Sequence, residues 1–312
     1  MRKGRRASND DWIRNSTDFN KWLKQQPNEN VSYPITLLDT SGISSKQAAA
    51  MVDNWIMEKT YDWFMENILM VYKYCENRNF EDLASGKVIV HRAGYPNFPV
   101  RLAQEIFSRC LHHLDDPDSV CIYDPCCGGG YLLTVLGFLN YERIKTIVAS
   151  DISDDAIQLA NENLSLLDKN GLKKRIRQIN DLLSLHNKKS HIEALNSATN
   201  LLDILANSTH EIERKVFKMD ILSNFLLDNP NFKADIIFTD VPYGNLVEWQ
   251  NGNEDNINLL DQLLSVTREK SVVAICSDKS QKFQSDNFQR IEKQVIGKRL
   301  FQIFRLVNPG LT

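Results

Sequence analysis

A chain of 312 residues with 42% hydrophobic content can bury a substantial core, as one large domain or as a core domain with an appendage. No run of about 18 apolar residues occurs, which argues against a helical membrane span, and the basic start MRKGRRASND lacks the apolar stretch of a secretion signal. Six cysteines without C-x-x-C spacing argue against a zinc site and for a reducing, cytoplasmic setting, while a net charge of −3 leaves any phosphate binding to local patches.

Residues 1 to about 44 are polar and weakly periodic, which predicts a loosely ordered stretch. A helix then opens at Ser44-Ser45-Lys46-Gln47 and keeps helical apolar spacing through Met51, Trp55, Trp63, Phe64, Ile68 and Val71 to about Tyr74. Residues 1–85 are therefore expected to form a partly helical extension, and 86–312 a second domain. Lys87-Val88-Ile89-Val90 reads as a short strand. The loop Gly94-Tyr95-Pro96-Asn97-Phe98-Pro99 leads into a helix to about His113, with Pro99 suited to its first turn.

Beyond this point strands and helices alternate, which predicts a mainly parallel sheet covered by helices on both faces. The strands fall at 119–123, 146–150, 215–219, 234–239 and 271–276. A last pair, 290–296 and 300–307, flanks Gly297 with no room for a crossover helix and has to be an antiparallel hairpin. Roughly sixty residues separate the second and third strands, where one helix needs about fifteen. Residues 154–167 supply that helix. Residues of about 168–208 read as a helical insertion carrying Lys169, Lys173, Lys174, Arg175, Arg177, Lys188 and Lys189, either a grip on RNA or a solvated face.

Asp124-Pro-Cys126-Cys127-Gly128-Gly129-Gly130 follows the first strand and opens a helix at Tyr131. Glycines let a backbone pass close under a ligand, although many such turns are purely structural. A carboxylate at Asp124 repels pyrophosphate and suits a cationic amino-acid moiety, and Leu133 stands where a third fingerprint glycine would be. S-adenosylmethionine carries an ammonium and a sulfonium and no phosphate, so this contrast favours it over NAD. Asp151, at the tip of the second strand, is placed for ribose hydroxyls or, alternatively, as a helix cap. Asp220 ends the third strand and suits the adenine amine, with Ile152 and Ile221 on either side of the ring. Tyr131 and Cys126 are expected to line this pocket, and Arg101 to meet the methionine carboxylate, RNA phosphate or a helix-surface salt bridge.

The fourth strand ends Asp240-Val241-Pro242-Tyr243-Gly244. Tyr243 offers a ring for stacking on an extruded base. Asp240 and the Pro242 carbonyl offer acceptors for its N–H groups, and Asp240 can serve as a general base if the target is an imino nitrogen. A plain strand-ending turn is the alternative. Trp249 is a further candidate for base contact.

These residues carry a family resemblance. The stretch His91-Arg92-Ala-Gly-Tyr95-Pro-Asn-Phe-Pro-Val-Arg101, the run Asp-Pro-Cys-Cys-Gly-Gly-Gly-Tyr-Leu-Leu-Thr, and Thr-Asp-Val-Pro-Tyr-Gly together resemble the AviRa family of avilamycin-resistance rRNA methyltransferases, over about residues 88–308. Two departures stand out: Gly129 replaces a common serine, and Val241 a leucine. The resemblance implies a Rossmann-like class I methyltransferase, a seven-stranded mostly parallel sheet with an antiparallel last strand. It also implies a helical insertion after the second strand and a cytoplasmic enzyme that methylates a guanine base nitrogen in 23S rRNA with S-adenosylmethionine. The expected protein is a monomer with neither metal nor membrane partner. Two other readings stay open: methylation of another planar nitrogen (adenine or protein glutamine), and a non-catalytic RNA-binding protein on this fold.

Overall fold

The computed structural model describes residues 72–223, 231–241, 259–296 and 299–307. The chain separates into two compact units, Met1–Lys73 and Tyr74–Thr312. The helix expected over residues 44–74 thus falls almost wholly outside the described residues, as do Pro242, Tyr243 and Trp249.

In the second unit the order is α1 (Val100–His113), β1 (Val120–Asp124), α2 (Tyr131–Leu139), β2 (Ile144–Asp151), α3 (Asp154–Leu164), α4 (Lys169–His186), α5 (Lys189–Asn207), β3 (Glu213–Lys218), β4 (Ala234–Asp240), α6 (Leu259–Gln262), β5 (Thr267–Asp278), β6 (Phe288–Ile296) and β7 (Arg299–Leu306). Seven strands form one sheet in the order β3-β2-β1-β4-β5-β7-β6. The first five run parallel, and β7 pairs antiparallel with both β5 and β6. The seven strands expected from residue 119 onward are all present, with shifts of a few residues at their ends.

The central strands explain the order. All of β1 is buried, and so is most of β4 and β5, as befits parallel strands covered on both faces. Edge strand β3 has no fully buried residue and carries Glu213, Arg214, Lys215 and Lys218, which suits a strand with one open side. The expected helix over 154–167 ends at Leu164 and tightens into a 3-10 turn over Ser165–Leu167. Asp168 then caps α4, its carboxylate accepting from the Asn170 and Gly171 N–H groups. The insertion is an antiparallel helix pair, reversed at Asn187 with φ 46°. Among the described residues no helix is long and apolar enough to cross a membrane.

One expected element is absent: residues 87–90 form no strand. Val88 and Ile89 are fully buried, as their apolar character requires, yet among the described residues no strand pairs with their backbone. Residues 74–85 pack on this same unit: the Tyr74 and Cys75 N–H groups donate to buried Glu105 of α1, and Tyr131 Oη donates to the Leu83 carbonyl.

Candidate active site

Parallel strands bring their C-terminal ends to one edge of a sheet, and ligands bind at that edge. Here the ends of β1, β2 and β4 meet the segment 91–98 around a cavity of about 430 Å³, whose walls include Tyr95, Phe98, Asp124, Asp151 and Asp240. Its size suits a nucleoside-sized ligand.

Asp124 is 2% exposed. Burial pushes its carboxyl up to about 7; the Cys126 N–H that it accepts at 3.0 Å opposes this, and the nearby charges of Asp240 and Asp151 add to it. Cys126 also lines the cavity, but burial first, then Asp124 and Asp151, push its thiol well above the ordinary range. Cys127 behaves likewise, so both thiols stay protonated and neither is an activated nucleophile.

Asp151 spans the glycine turn and the next helix. One of its oxygens accepts from the Gly128 N–H at 2.8 Å and the other from the Ser153 N–H at 3.0 Å. The cap of α3 is Ser153, whose hydroxyl accepts from the Ala156 N–H. The capping alternative for Asp151 is thereby corrected: it braces the turn before the helix and faces the cavity. The turn itself uses left-handed backbone at Gly128 (φ 51°) and Gly130 (φ 71°), where a side chain would be strained. A Cβ at Gly130 would also stand 3.0 Å from the Ala160 Cα, so this glycine seats α3 against the loop. Tyr131 forms part of the wall.

Asp240 closes the other end. It pairs with Cys276 of β5, and Arg299, the first residue of β7, brings a guanidinium Nη2 to 3.8 Å from its Oδ2. The same guanidinium lies over the Phe98 ring at 5.2 Å, and Phe98 meets Phe238 edge-on. Pro242 and Tyr243 follow directly but lie outside the described residues.

Four predicted residues sit beside the cavity without lining it: Gly130, whose place is against α3, and Asp220, Ile221 and Ile152. Asp220 is exposed and accepts from the Leu222 N–H, Ile221 is buried against Tyr123 and Val148, and Ile152 is 61% exposed next to Asp151. A large apolar side chain so exposed at the ligand edge is available to stack on a ring. Arg101 is placed elsewhere: its Nε and Nη2 donate to the Cys75 carbonyl at 3.2 Å, away from the cavity walls. Sequence reasoning passed over Asn163, Leu159 and Arg299. Nothing marks Asn163 or Leu159 in a helical pattern, and Arg299 reaches Asp240 only because β7 lies beside β5. Among the described residues no group of three or more His, Cys, Asp or Glu is arranged to hold a metal ion.

This chain is similar to known proteins. Residues 70–299 match the family model described as rRNA methyltransferase AviRa. A 23S rRNA (guanine(2535)-N(1))-methyltransferase of Streptomyces viridochromogenes is 33% identical over 245 residues, covering 77% of this chain and 98% of the relative. Two solved structures of the rRNA methyltransferase aviRa from the same organism are also similar. One has 31% identity, a TM-score of 0.64 and coverage of 74% of this chain and 95% of its own. The other has 30% identity, a TM-score of 0.65 and coverage of 75% and 96%.

Proposed function

The chain belongs to the AviRa rRNA methyltransferase family, and from that premise we propose that it transfers a methyl group from S-adenosylmethionine to a ring nitrogen of a guanine in 23S rRNA. Its sheet is that of a Rossmann-like class I methyltransferase. The observation that carries the reading is the meeting of three strand-end carboxylates, Asp124, Asp151 and Asp240, on one cavity.

The chemistry of these donors fits the methyl donor. A carboxyl held near 7 by burial gains most from a cationic partner, and the walls that surround Asp124 suit an ammonium and repel a pyrophosphate. Asp124 and Cys126 would then hold the amino-acid end, Gly128 and Gly130 allow close backbone approach, and Tyr131 would close the wall. Asp151 would accept from the ribose hydroxyls. Asp220 would accept from the adenine amine, with Ile152 and Ile221 beside the ring. Arg101 has no part in this reading, since its guanidinium is engaged at Cys75.

The bound donor supplies an electrophilic methyl on a sulfonium. The chain's share is to align the attacking nitrogen, exclude water and take the proton. Asp240 lies where it can accept the N–H of a guanine edge, with Pro242 and Tyr243 proposed to add a carbonyl acceptor and a stacking ring. The proximity of Arg299 favours the ionised, accepting form of a carboxylate.

The test is tritiated methyl transfer onto unmodified ribosomes, isolated subunits and free RNA, followed by nucleoside mass spectrometry. The expected product is a methylguanosine in the large-subunit RNA. Labelled protein with unlabelled RNA overturns the RNA substrate, and a labelled adenine overturns the guanine.

A further inference from the structure

Segment 87–92 presents a backbone problem. It leads into the 91–98 wall of the cavity, its Val88 and Ile89 are fully buried, and it belongs to no sheet. Buried backbone groups have to be paired, so the partners come from elsewhere.

The segment's own turns pair part of it, the Gly86 N–H donating to the Ile89 carbonyl at 2.9 Å and the Lys87 N–H to the Ala84 carbonyl at 3.3 Å; two helices supply further partners. Asn163 of α3, 1% exposed and itself on the cavity wall, meets Val90 at both polar groups: its Oδ1 accepts from the Val90 N–H at 2.8 Å and its Nδ2 donates to the Val90 carbonyl at 3.0 Å. The same Nδ2 donates to the Gly129 carbonyl at 2.8 Å. One carboxamide therefore pins the segment to the glycine turn. The second partner belongs to the insertion. Arg175 of α4 donates through Nε to the Val88 carbonyl at 2.9 Å and through Nη2 to the Lys87 carbonyl at 3.2 Å. Two residues further on, Arg92 pairs with Glu162 of α3 at 3.2 Å.

Arg175 is half-buried, and burial disfavours its charge, lowering its pKa. It donates to two carbonyls and to the Gln178 side chain. A guanidinium is the side chain able to hold two adjacent carbonyls at once through a rigid fork of donors. The arrangement replaces strand pairing with side chains, and it reaches from the insertion through Lys87–Val90 and Asn163 to Gly129.

We propose that Arg175 and Asn163 are positioning residues for the methyl-donor pocket, through which the helical insertion holds the 87–98 wall against the glycine turn. This rests on the reading of the cavity as the donor site. Arg175 acts at a distance: it touches the segment before the wall and not the cavity.

The experiment measures binding of S-adenosylmethionine to the full chain by calorimetry, with kcat at saturating donor alongside. R175M keeps the apolar stem and removes both carbonyl contacts. It is expected to raise the donor Kd about tenfold, to leave kcat within about threefold, and to speed amide exchange across residues 88–98. N163A, which removes three hydrogen bonds, is expected to raise Kd further in the same direction. R175K retains one contact and is expected to fall between wild type and R175M; it decides the matter if R175M does not fold. A wild-type Kd in R175M or R175K overturns the proposal. So does a loss of kcat with donor affinity unchanged, which would place Arg175 on the RNA side. Failure of the wild-type chain to bind the donor overturns the proposed function instead.

Discussion

The two ends of the cavity are built differently. At the proposed donor end, Asp124 accepts from Cys126 and Asp151 from Ser153, each two residues along the chain, and Asp151 reaches Gly128 across one helix and its own strand. At the proposed transfer end, Asp240 is flanked by Arg299, and Arg299 is stacked on Phe98; these contacts join β4, β7 and the loop before α1. Local turns hold the first end in place, while distant strands assemble the second. The carboxylates Asp124 and Asp151 should therefore keep their places when remote partners are lost, and Asp240 should not; at the donor end it is the 87–98 wall that depends on distant residues, Arg175 and Asn163.

The largest expected effect separates the ends most sharply. On the proposed function, D240A should lower kcat by about 10²–10⁴-fold while leaving the donor Kd within about threefold, measured by methyl transfer and calorimetry. Retained full activity removes Asp240 from the chemistry. D124N should do the reverse, weakening donor binding by about 10–100-fold with a much smaller change in kcat at saturation. Equal losses in both constants would show that the two ends are not separable.

The pH dependence sharpens the donor end alone. The Asp124 carboxyl sits near 7 in the folded protein against an ordinary 3.8. A raised carboxyl means that the folded state binds more protons between those values. The stability it contributes is fully present below about 3.8 and lost as pH rises through about 7. A cationic ligand favours the ionised form, so donor affinity should rise with pH up to about 7, by at most about tenfold per unit, and level off above. Calorimetry from pH 5.5 to 8.5 checks both, and D124N should flatten the dependence. Affinity that is unchanged across this range would rule out Asp124 as the cation's partner. The smallest effect belongs to R299Q, expected to reduce kcat about tenfold with donor affinity unchanged. A twofold change or less would make Arg299 a structural partner of Phe98 only.

Legibility followed the same division. Asp124, Asp151 and Asp240 are readable because each ends an apolar run, and parallel strands bring all such ends to one edge. The insertion is readable from the length between the second and third strands. Arg101 was misplaced because its partner, the Cys75 carbonyl, lies on a segment whose return path no local pattern encodes. Lys87–Val90 was misread for a related reason. Its apolar pattern matches that of β1, and its Val88 and Ile89 are as buried, but β1 finds β2 and β4 as neighbours whereas 87–90 finds Arg175 and Asn163.

What the sequence by itself determined is periodicity and its punctuation: where strands and helices begin and end, which carboxylates end strands, and where glycine permits left-handed backbone. These are properties of a few consecutive residues, and local sterics and hydrogen bonding decide them. Only the tertiary structure decided which side chains complete the site. Arg299 reaches Asp240 because β7 inserts beside β5, and Arg175 reaches the segment leading into the cavity wall because α4 folds back over residues 87–90. Such contacts satisfy polar groups across separations of tens of residues, and no short window of sequence carries that information.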